Sequence, residues 1–123
     1  MATLLVVDDE ASVQGFLAEA LRCAGQTVLT ASRGRDALQV LRTVPVQLVV
    51  TDLYMPEENG FELLRLIRQE FPATRTIGLS GGFASEPLLK VAEIVGADEA
   101  LSKPLGIAEL LSAVNRVLAL PPP

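Results

Sequence analysis

The chain has 123 residues, of which half are apolar and one fifth are charged, and its net charge is −5. This length and composition suit one folded domain with its own hydrophobic core, and they exclude disorder as a description of the whole chain. The ten Lys and Arg residues are scattered along the sequence. We therefore expect no direct nucleic-acid binding, which needs a basic face.

The sequence contains no histidine and a single cysteine, Cys23. This excludes His-ligated zinc sites and Ser–His or Cys–His nucleophile pairs, so any chemistry must use carboxylates, lysine and hydroxyl groups. One cysteine allows no internal disulfide, which fits a reducing compartment. The N-terminus lacks the pattern of a signal peptide, and no apolar run is long enough to cross a bilayer. We expect a cytoplasmic protein that does not insert into a membrane.

Two kinds of segment alternate along the chain. Short aliphatic or β-branched runs predict five strands, at Thr3–Val7, Thr27–Ala31, Leu48–Asp52, Thr76–Ser80 and Ala100–Ser102. Apolar residues three and four positions apart predict five helices, at Val13–Ala24, Arg35–Thr43, Phe61–Glu70, Glu86–Val95 and Ile107–Leu118. Strands that alternate with helices predict an α/β fold, a doubly wound five-stranded parallel sheet with helices on both faces. We expect one domain over residues 1–120, followed by a Pro-rich tail or the start of a linker at 121–123.

Polar residues stand where four of the predicted strands end. Asp8 and Asp9 follow the first strand, Asp52 ends the third, Ser80 ends the fourth and Lys103 follows the fifth. In an open α/β sheet, binding sites form outside the carboxyl ends of the strands, so these side chains should converge. Clustered carboxylates repel one another unless a cation lies between them.

A hard divalent cation suits such a cluster. With Lys103 included, the three aspartates carry about −2, which matches Mg²⁺ with its preference for oxygen ligands. The arrangement favours an incoming phosphoryl group, and a carboxylate can itself be the phosphoryl acceptor. Simpler interpretations remain for single residues. Asp8 and Asp9 could cap the first helix, Ser80 could belong to a plain Ser-Gly-Gly turn, and Lys103 could be a surface lysine.

Four motifs in order carry a resemblance to a known family. They are VVDDE at 6–10, TDLYMPEENG at 51–60, LSG at 79–81 and LSKPL at 101–105. With them the chain resembles, from Leu4 to about Leu118, the receiver domain of two-component response regulators. The resemblance implies the CheY-like, flavodoxin-like three-layer fold with strand order 2-1-3-4-5, and Mg²⁺ as the cofactor.

The resemblance also implies roles for individual residues. Asp52 matches the phosphoacceptor. For the metal, Asp9 would bind Mg²⁺ directly and Asp8 through water, and Asp52 and the backbone carbonyl of Tyr54 would complete the protein's ligands.

Further matched positions concern the phosphoryl group and the switch. Ser80 would donate its hydroxyl to a phosphoryl oxygen, and Lys103 would pair with the same group. Pro104 matches the family's cis proline, and Gly60 matches the glycine that closes the loop after the acceptor strand.

Two positions depart from the family pattern. Ala100 stands where receivers usually carry a Tyr or Phe that swings inward on activation, and Gly81 stands where alanine is usual. We suggest that Phe83, beside a flexible Gly pair, replaces the missing ring.

Leu88, Val91, Ala92 and Val95 share one face of the fourth helix and should pack on the sheet, whereas Leu89 and Ile94 fall outside that stripe. The resemblance implies that the fourth helix, fifth strand and last helix form a surface for an effector domain or for a homodimer.

The leading function is a phosphorylation-dependent signalling switch rather than an enzyme that turns over a separate substrate. Without a histidine of its own, the chain must take the phosphoryl group from a sensor histidine kinase, a phosphotransfer protein or a small molecule. The first alternative is an Mg²⁺-dependent phosphatase with an Asp nucleophile. It is disfavoured because its D-x-D motif would need an acid where Tyr54 stands. The second is an interaction module of the same fold that never receives phosphate, which the missing aromatic at Ala100 leaves open.

Overall fold

The structure is a computed structural model that describes residues 2–55, 58–81 and 86–121. Its main sheet contains five strands, β1 (Thr3–Val7), β2 (Thr27–Ala31), β3 (Leu48–Asp52), β6 (Arg75–Ser80) and β7 (Glu99–Ser102). Five helices accompany them, α1 (Ala11–Cys23), α2 (Gly34–Thr43), α3 (Gly60–Glu70), α4 (Glu86–Val95) and α5 (Ile107–Leu118). A pair of two-residue strands, β4 (Tyr54–Met55) and β5 (Glu58–Asn59), lies between β3 and α3.

The five main strands are all parallel and run in the order β2-β1-β3-β6-β7. This confirms the predicted order, since these are the first to fifth long strands of the chain. Two of them begin one residue earlier than predicted, at Arg75 and Glu99. The antiparallel β4–β5 pair was not predicted, because two-residue strands are too short to show a periodic pattern.

Both faces of the central strands are covered. Successive side chains of a strand point to opposite faces, so Leu4 and Val6 join one core cluster and Leu5 and Val7 join another. The first cluster also contains residues of α1 and α5, and the second contains residues of α2 and α3. All five residues of β3 are buried, which is typical of a parallel strand between two helical layers.

The structure describes three of the four side chains of α4 that were predicted to pack on the sheet, those of Val91, Ala92 and Val95. The predictions for Leu88 and Leu89 fall on side chains outside the described part. Ala92 is fully buried and Val95 packs partly against the same cluster, but Val91 is 43% exposed. The expectation that Val91 packs on the sheet is therefore wrong, because it lies at the border of the buried stripe. Ile94 is 83% exposed, as expected from its place outside that stripe. Within the described ranges, the helices are all too short or too polar to span a bilayer.

Candidate functional site

The site lies at the carboxyl edge of the sheet, where β1, β3, β6 and β7 end side by side. The register pairs Asp52 at the end of β3 with Leu79, the neighbour of Ser80 on β6. Ser80 is in turn paired with Ser102, which precedes Lys103. Parallel pairing therefore brings together residues that are up to 95 positions apart in the sequence, as the motif spacing predicts.

Three carboxylates form the centre of the site. Asp8, Asp9 and Asp52 each offer one carboxylate oxygen, and these oxygens all lie within 4.8 Å of one another. Asp8 is 1% exposed and Asp52 is 6% exposed, whereas Asp9 is exposed to solvent. Two of the three charges are thus removed from water, and they need partners inside the protein.

Lys103 supplies the cation that the buried carboxylates need. Its Nζ atom lies 3.1 Å from Oδ2 of Asp8 and 3.5 Å from Oδ2 of Asp52, so one ammonium group bridges both acids. The backbone amide of Lys103 donates to the carbonyl of Ser80 at 2.8 Å, and the Lys103–Pro104 peptide bond is cis. The lysine therefore belongs to the site and is not a surface residue.

Backbone amides hold the two buried carboxylates from the other side. The amide of Glu10 donates to Oδ1 of Asp8 at 2.9 Å, and the amide of Tyr54 donates to Oδ1 of Asp52 at 3.2 Å. The residue that precedes α1 is Glu10, and it makes no side-chain capping bond. The Asp8 side chain therefore stabilises the turn before α1 and does not cap the helix. Helix capping thus does not explain why Asp8 and Asp9 stand together.

The electrostatic environment shifts the pKa of two of these groups. Burial raises the pKa of Asp52 above its ordinary value, and the Tyr54 amide and the Lys103 ammonium oppose that effect only in part. Burial works against the charge of Lys103, but the attraction of Asp52 and Asp8 outweighs it and raises the pKa of Lys103. The charged form of Lys103 is therefore favoured at this site, whereas burial disfavours the charged form of Asp52.

Two glycines allow close packing around the acids. A Cβ atom on Gly60 would lie 2.6 Å from Cα of Leu53 and 2.7 Å from the carbonyl oxygen of Asp52, so α3 begins directly against the end of β3. A Cβ atom on Gly81 would lie 3.3 Å from Cδ of Lys103, whose aliphatic stem passes over that glycine. Gly60 thus has a steric reason for its identity, independent of any resemblance.

The donor set fits Mg²⁺. Carboxylate oxygens within 4.8 Å of one another can surround a single ion that binds oxygen at about 2.1 Å, and the remaining positions suit water. Asp8, Asp9 and Asp52 with Lys103 sum to about −2, which balances a divalent cation. Asp9 is the one acid of the three that is exposed to solvent.

The remaining predicted positions lie as follows. Ser80 is 4% exposed at the end of β6, and Tyr54 is 81% exposed although its backbone amide donates to Asp52. Ala100 is partly buried on β7 opposite Gly78 and packs against the cluster of Leu53, Leu64, Ala92 and Ala97. Phe83 lies outside the described residues, so its proposed role stays a prediction.

Sequence reasoning missed Gln14. Its side-chain amide contacts the carbonyl oxygens of Asp8 and Ala31, at the ends of β1 and β2. No motif singled it out, since a glutamine in the first turns of a helix has no characteristic pattern.

The fold and the site together define a receiver domain, and comparison with known proteins shows the same. A family model for the response regulator receiver domain matches residues 4–115, and the chain belongs to that family. It is 35% identical over 120 residues to the DNA-binding transcriptional regulator NtrC of Rhizobium meliloti, covering 98% of this chain and 25% of that protein. It is 38% identical over 119 residues to the KDP operon transcriptional regulatory protein KdpE of Escherichia coli, covering 96% of this chain and 52% of that protein.

Solved structures agree with these relatives. The chemotaxis response regulator CheY4 of Vibrio cholerae superposes with a TM-score of 0.87 at 31% identity, over 95% of this chain and 98% of that one. The chain therefore spans nearly all of one solved response regulator but only a quarter to a half of the curated relatives it matches.

Proposed function

We propose that the protein is a phosphorylation-dependent signalling switch that accepts a phosphoryl group on Asp52 in an Mg²⁺-dependent reaction. The observation that carries the proposal is the bridge from Lys103 to both Asp8 and Asp52, beside the exposed Asp9. A purely structural domain has no need to bury two carboxylates and a lysine at the edge of its sheet, since such groups are costly to desolvate.

The chemistry assigned to the site is a phosphoryl transfer. A carboxylate oxygen of Asp52 attacks the phosphorus atom of a phosphohistidine, a P–O bond forms, and the P–N bond breaks with its electron pair on the imidazole nitrogen. The metal ion would be held by Asp8, Asp9, Asp52 and the Tyr54 carbonyl. It would supply positive charge to neutralise the phosphoryl oxygens. Lys103 would exchange its contact with Asp52 for one with the phosphoryl group, and Ser80 would donate its hydroxyl to a phosphoryl oxygen. Loss of the group is the attack of water on the same phosphorus atom, so the chain promotes only its own phosphorylation and dephosphorylation.

A sensor histidine kinase or a phosphotransfer protein is the proposed donor, since the chain contains no histidine. An apolar groove of about 280 Å³ opens beside the site, between α1 and the loop from β7 to α5. Its lining includes Val13, the half-exposed Phe16, Lys103 and Leu105. A donor docked there would have its phosphohistidine close to Lys103 and hence to Asp52. We propose accordingly that the domain, residues 1–120, acts in the cytoplasm, where such partners would reach it.

The proposed output surface is the face of α4, β7 and α5, which would contact an effector domain or a second copy. Ile94 and Val91 expose apolar side chains on α4, and Arg116 on α5 pairs with Glu99 on β7 at 2.8 Å. Ile94→Glu should therefore lower any phosphorylation-dependent association seen by size-exclusion chromatography while leaving phosphorylation intact. Association that is unchanged by this substitution would place the output elsewhere.

The deciding experiment is the intact mass of the protein after incubation with acetyl phosphate and Mg²⁺. The wild type should gain one phosphoryl group, and the gain should be absent when EDTA replaces Mg²⁺. Asp52→Asn is the matched control, since it preserves the shape of the side chain and removes the nucleophile. A gain that persists in Asp52→Asn would move the acceptor elsewhere. No gain from acetyl phosphate or from candidate kinases would favour the phosphate-independent module.

A further inference from the structure

We propose that Gln14 is a positioning residue that holds the Asp8–Glu10 turn, and through it Asp9, in the geometry needed to bind Mg²⁺. The inference rests on the function proposed above. It is carried by the contacts of one side chain with two strand ends.

The side-chain amide of Gln14 reaches from α1 to both β1 and β2. Its Nε2 atom lies 3.0 Å from the carbonyl oxygen of Ala31, 3.1 Å from that of Asp8 and 3.4 Å from Oγ of Ser32. Carbonyl oxygens can only accept hydrogen bonds, so the group that faces them must be the NH₂ end of the amide. Its two hydrogens serve the two shorter contacts, and the side chain thus joins the carboxyl ends of β1 and β2.

The same residue closes the turn that carries the acids. The backbone amide of Gln14 donates to the carbonyl of Glu10 at 2.9 Å, while its side chain donates to the carbonyl of Asp8. The backbone bond is the first hydrogen bond of α1 and does not depend on the side chain, so the contact with Asp8 is the one that a substitution of Gln14 removes. The backbone amide of Asp8 also donates to the carbonyl of Ala31 at 3.1 Å. The Ala31 carbonyl therefore accepts hydrogen bonds from the Asp8 backbone and from the Gln14 side chain.

Asp9 depends on this backbone more than the other two acids do. The carboxylates of Asp8 and Asp52 are buried and held by Lys103 and by backbone amides. Asp9 is exposed, so its carboxylate is directed mainly by the backbone of the turn from which it projects. Loss of the Gln14 contacts would let that turn relax and would misplace the proposed direct ligand. Groups that orient metal ligands commonly change affinity by tenfold or more.

The chain offers a matched control in Gln26. Its Oε1 atom accepts a hydrogen bond from the backbone amide of Ala2 at 2.8 Å, so it also joins the β1 and β2 segments by a glutamine side chain. This contact lies at the opposite edge of the sheet, beyond the start of both strands. Gln26→Met therefore removes a comparable structural bond without touching the acid turn.

The test is an Mg²⁺ titration of Gln14→Met, Gln14→Asn, Gln26→Met and the wild type, without any phosphoryl donor. The dissociation constant is read from the backbone amide NMR shifts of Asp9 and Tyr54, and folding is checked by circular dichroism. Methionine keeps the length of glutamine but donates no hydrogen bond. Asparagine keeps the amide but is too short to reach both carbonyl oxygens. Gln14→Asn therefore replaces Gln14→Met in the test if the methionine variant does not fold.

We expect both Gln14 variants to bind Mg²⁺ about tenfold more weakly than the wild type. Gln26→Met should stay within about twofold of the wild type, even where its melting temperature falls as far as that of Gln14→Met. Unchanged affinity in the Gln14 variants, or an equal loss in Gln26→Met, would overturn the inference and leave the proposed function standing. A wild type that shows no Mg²⁺-dependent shift at all would overturn both.

Discussion

Lys103 donates a hydrogen bond from Nζ to Oδ2 of Asp8 at 3.1 Å, although the two residues are 95 positions apart in the chain. The same ammonium group lies 3.5 Å from Oδ2 of Asp52. Neither carboxylate is accessible enough to be stabilised by water, so the lysine compensates both charges. In the function proposed above, a phosphoryl group added to Asp52 would compete for this ammonium, and the rearrangement of that contact would link phosphorylation to conformation.

Replacement of the lysine tests this relationship directly. Lys103→Met should lower the free energy of unfolding by about 2 kcal/mol, because two buried carboxylates lose a charged hydrogen-bond donor. Phosphorylation by acetyl phosphate should slow about a hundredfold, the usual effect of removing a cation or donor from a transition state. Urea denaturation and timed mass spectrometry measure the two effects. Lys90→Met, at an exposed lysine of α4, is the control and should change stability by less than about 0.5 kcal/mol.

Asp52 makes stability depend on pH. Because burial raises its pKa in the folded chain, the folded state binds this proton more tightly than the unfolded state does. Stability from this group is therefore greatest at acidic pH and is lost as the pH rises through the raised pKa. Asp52→Asn removes that loss and should stabilise the protein at pH 7 by about 0.5–2 kcal/mol. Its advantage should shrink as the pH falls toward about 4, the ordinary value for aspartate. An advantage that is equal at pH 4 and pH 8 in urea titrations would contradict this account.

Gly60 and Gly15 should respond in opposite ways to the same substitution. Gly60→Ala places a methyl group against the backbone of Asp52 and Leu53, and overpacking of this kind costs about 1–3 kcal/mol. Gly15 lies within α1, and a Cβ atom added there would meet only open space, so Gly15→Ala should stabilise the chain by about 0.5–1 kcal/mol. Thermal unfolding of the two variants measures the difference. Similar shifts in both would show that helix propensity alone decides, and that the backbone contact at Gly60 has no consequence.

Leu53 occupies the space that a side chain at position 78 would fill. A Cβ atom on Gly78 would lie 2.9 Å from Cδ2 of Leu53, which is itself buried beside α4. Gly78→Ala should therefore destabilise the protein by about 1–3 kcal/mol. The effect should largely disappear in a Leu53→Ala background, where the competing side chain is absent. A double-mutant cycle of urea denaturation measures the coupling, and simple additivity would show that the two residues do not compete for the space.

The elements and the chemical residues were predictable from the sequence because their signals are local. An aliphatic run that ends before Asp8 predicts strand β1, and apolar residues three and four positions apart predict helix α5. The rule that parallel strands present their carboxyl ends at one edge then placed Asp8, Asp9, Asp52, Ser80 and Lys103 together. Strand order was implied by the family resemblance, and the structure confirms it.

Tertiary structure alone decided how those residues share the site. Nothing in the local sequence distinguishes Asp8 from its neighbour Asp9, yet one is buried against Lys103 and the other faces solvent. The exposure of Val91, the β4–β5 pair and the span of Gln14 across two strand ends were likewise invisible in the sequence. The contact from Gln14 to Ala31 joins segments that are distant in the chain, and the β4–β5 strands are too short to show a periodic pattern. The sequence determined which polar side chains lie at the edge of the sheet. Tertiary packing determined which of these side chains are buried and therefore form ion pairs.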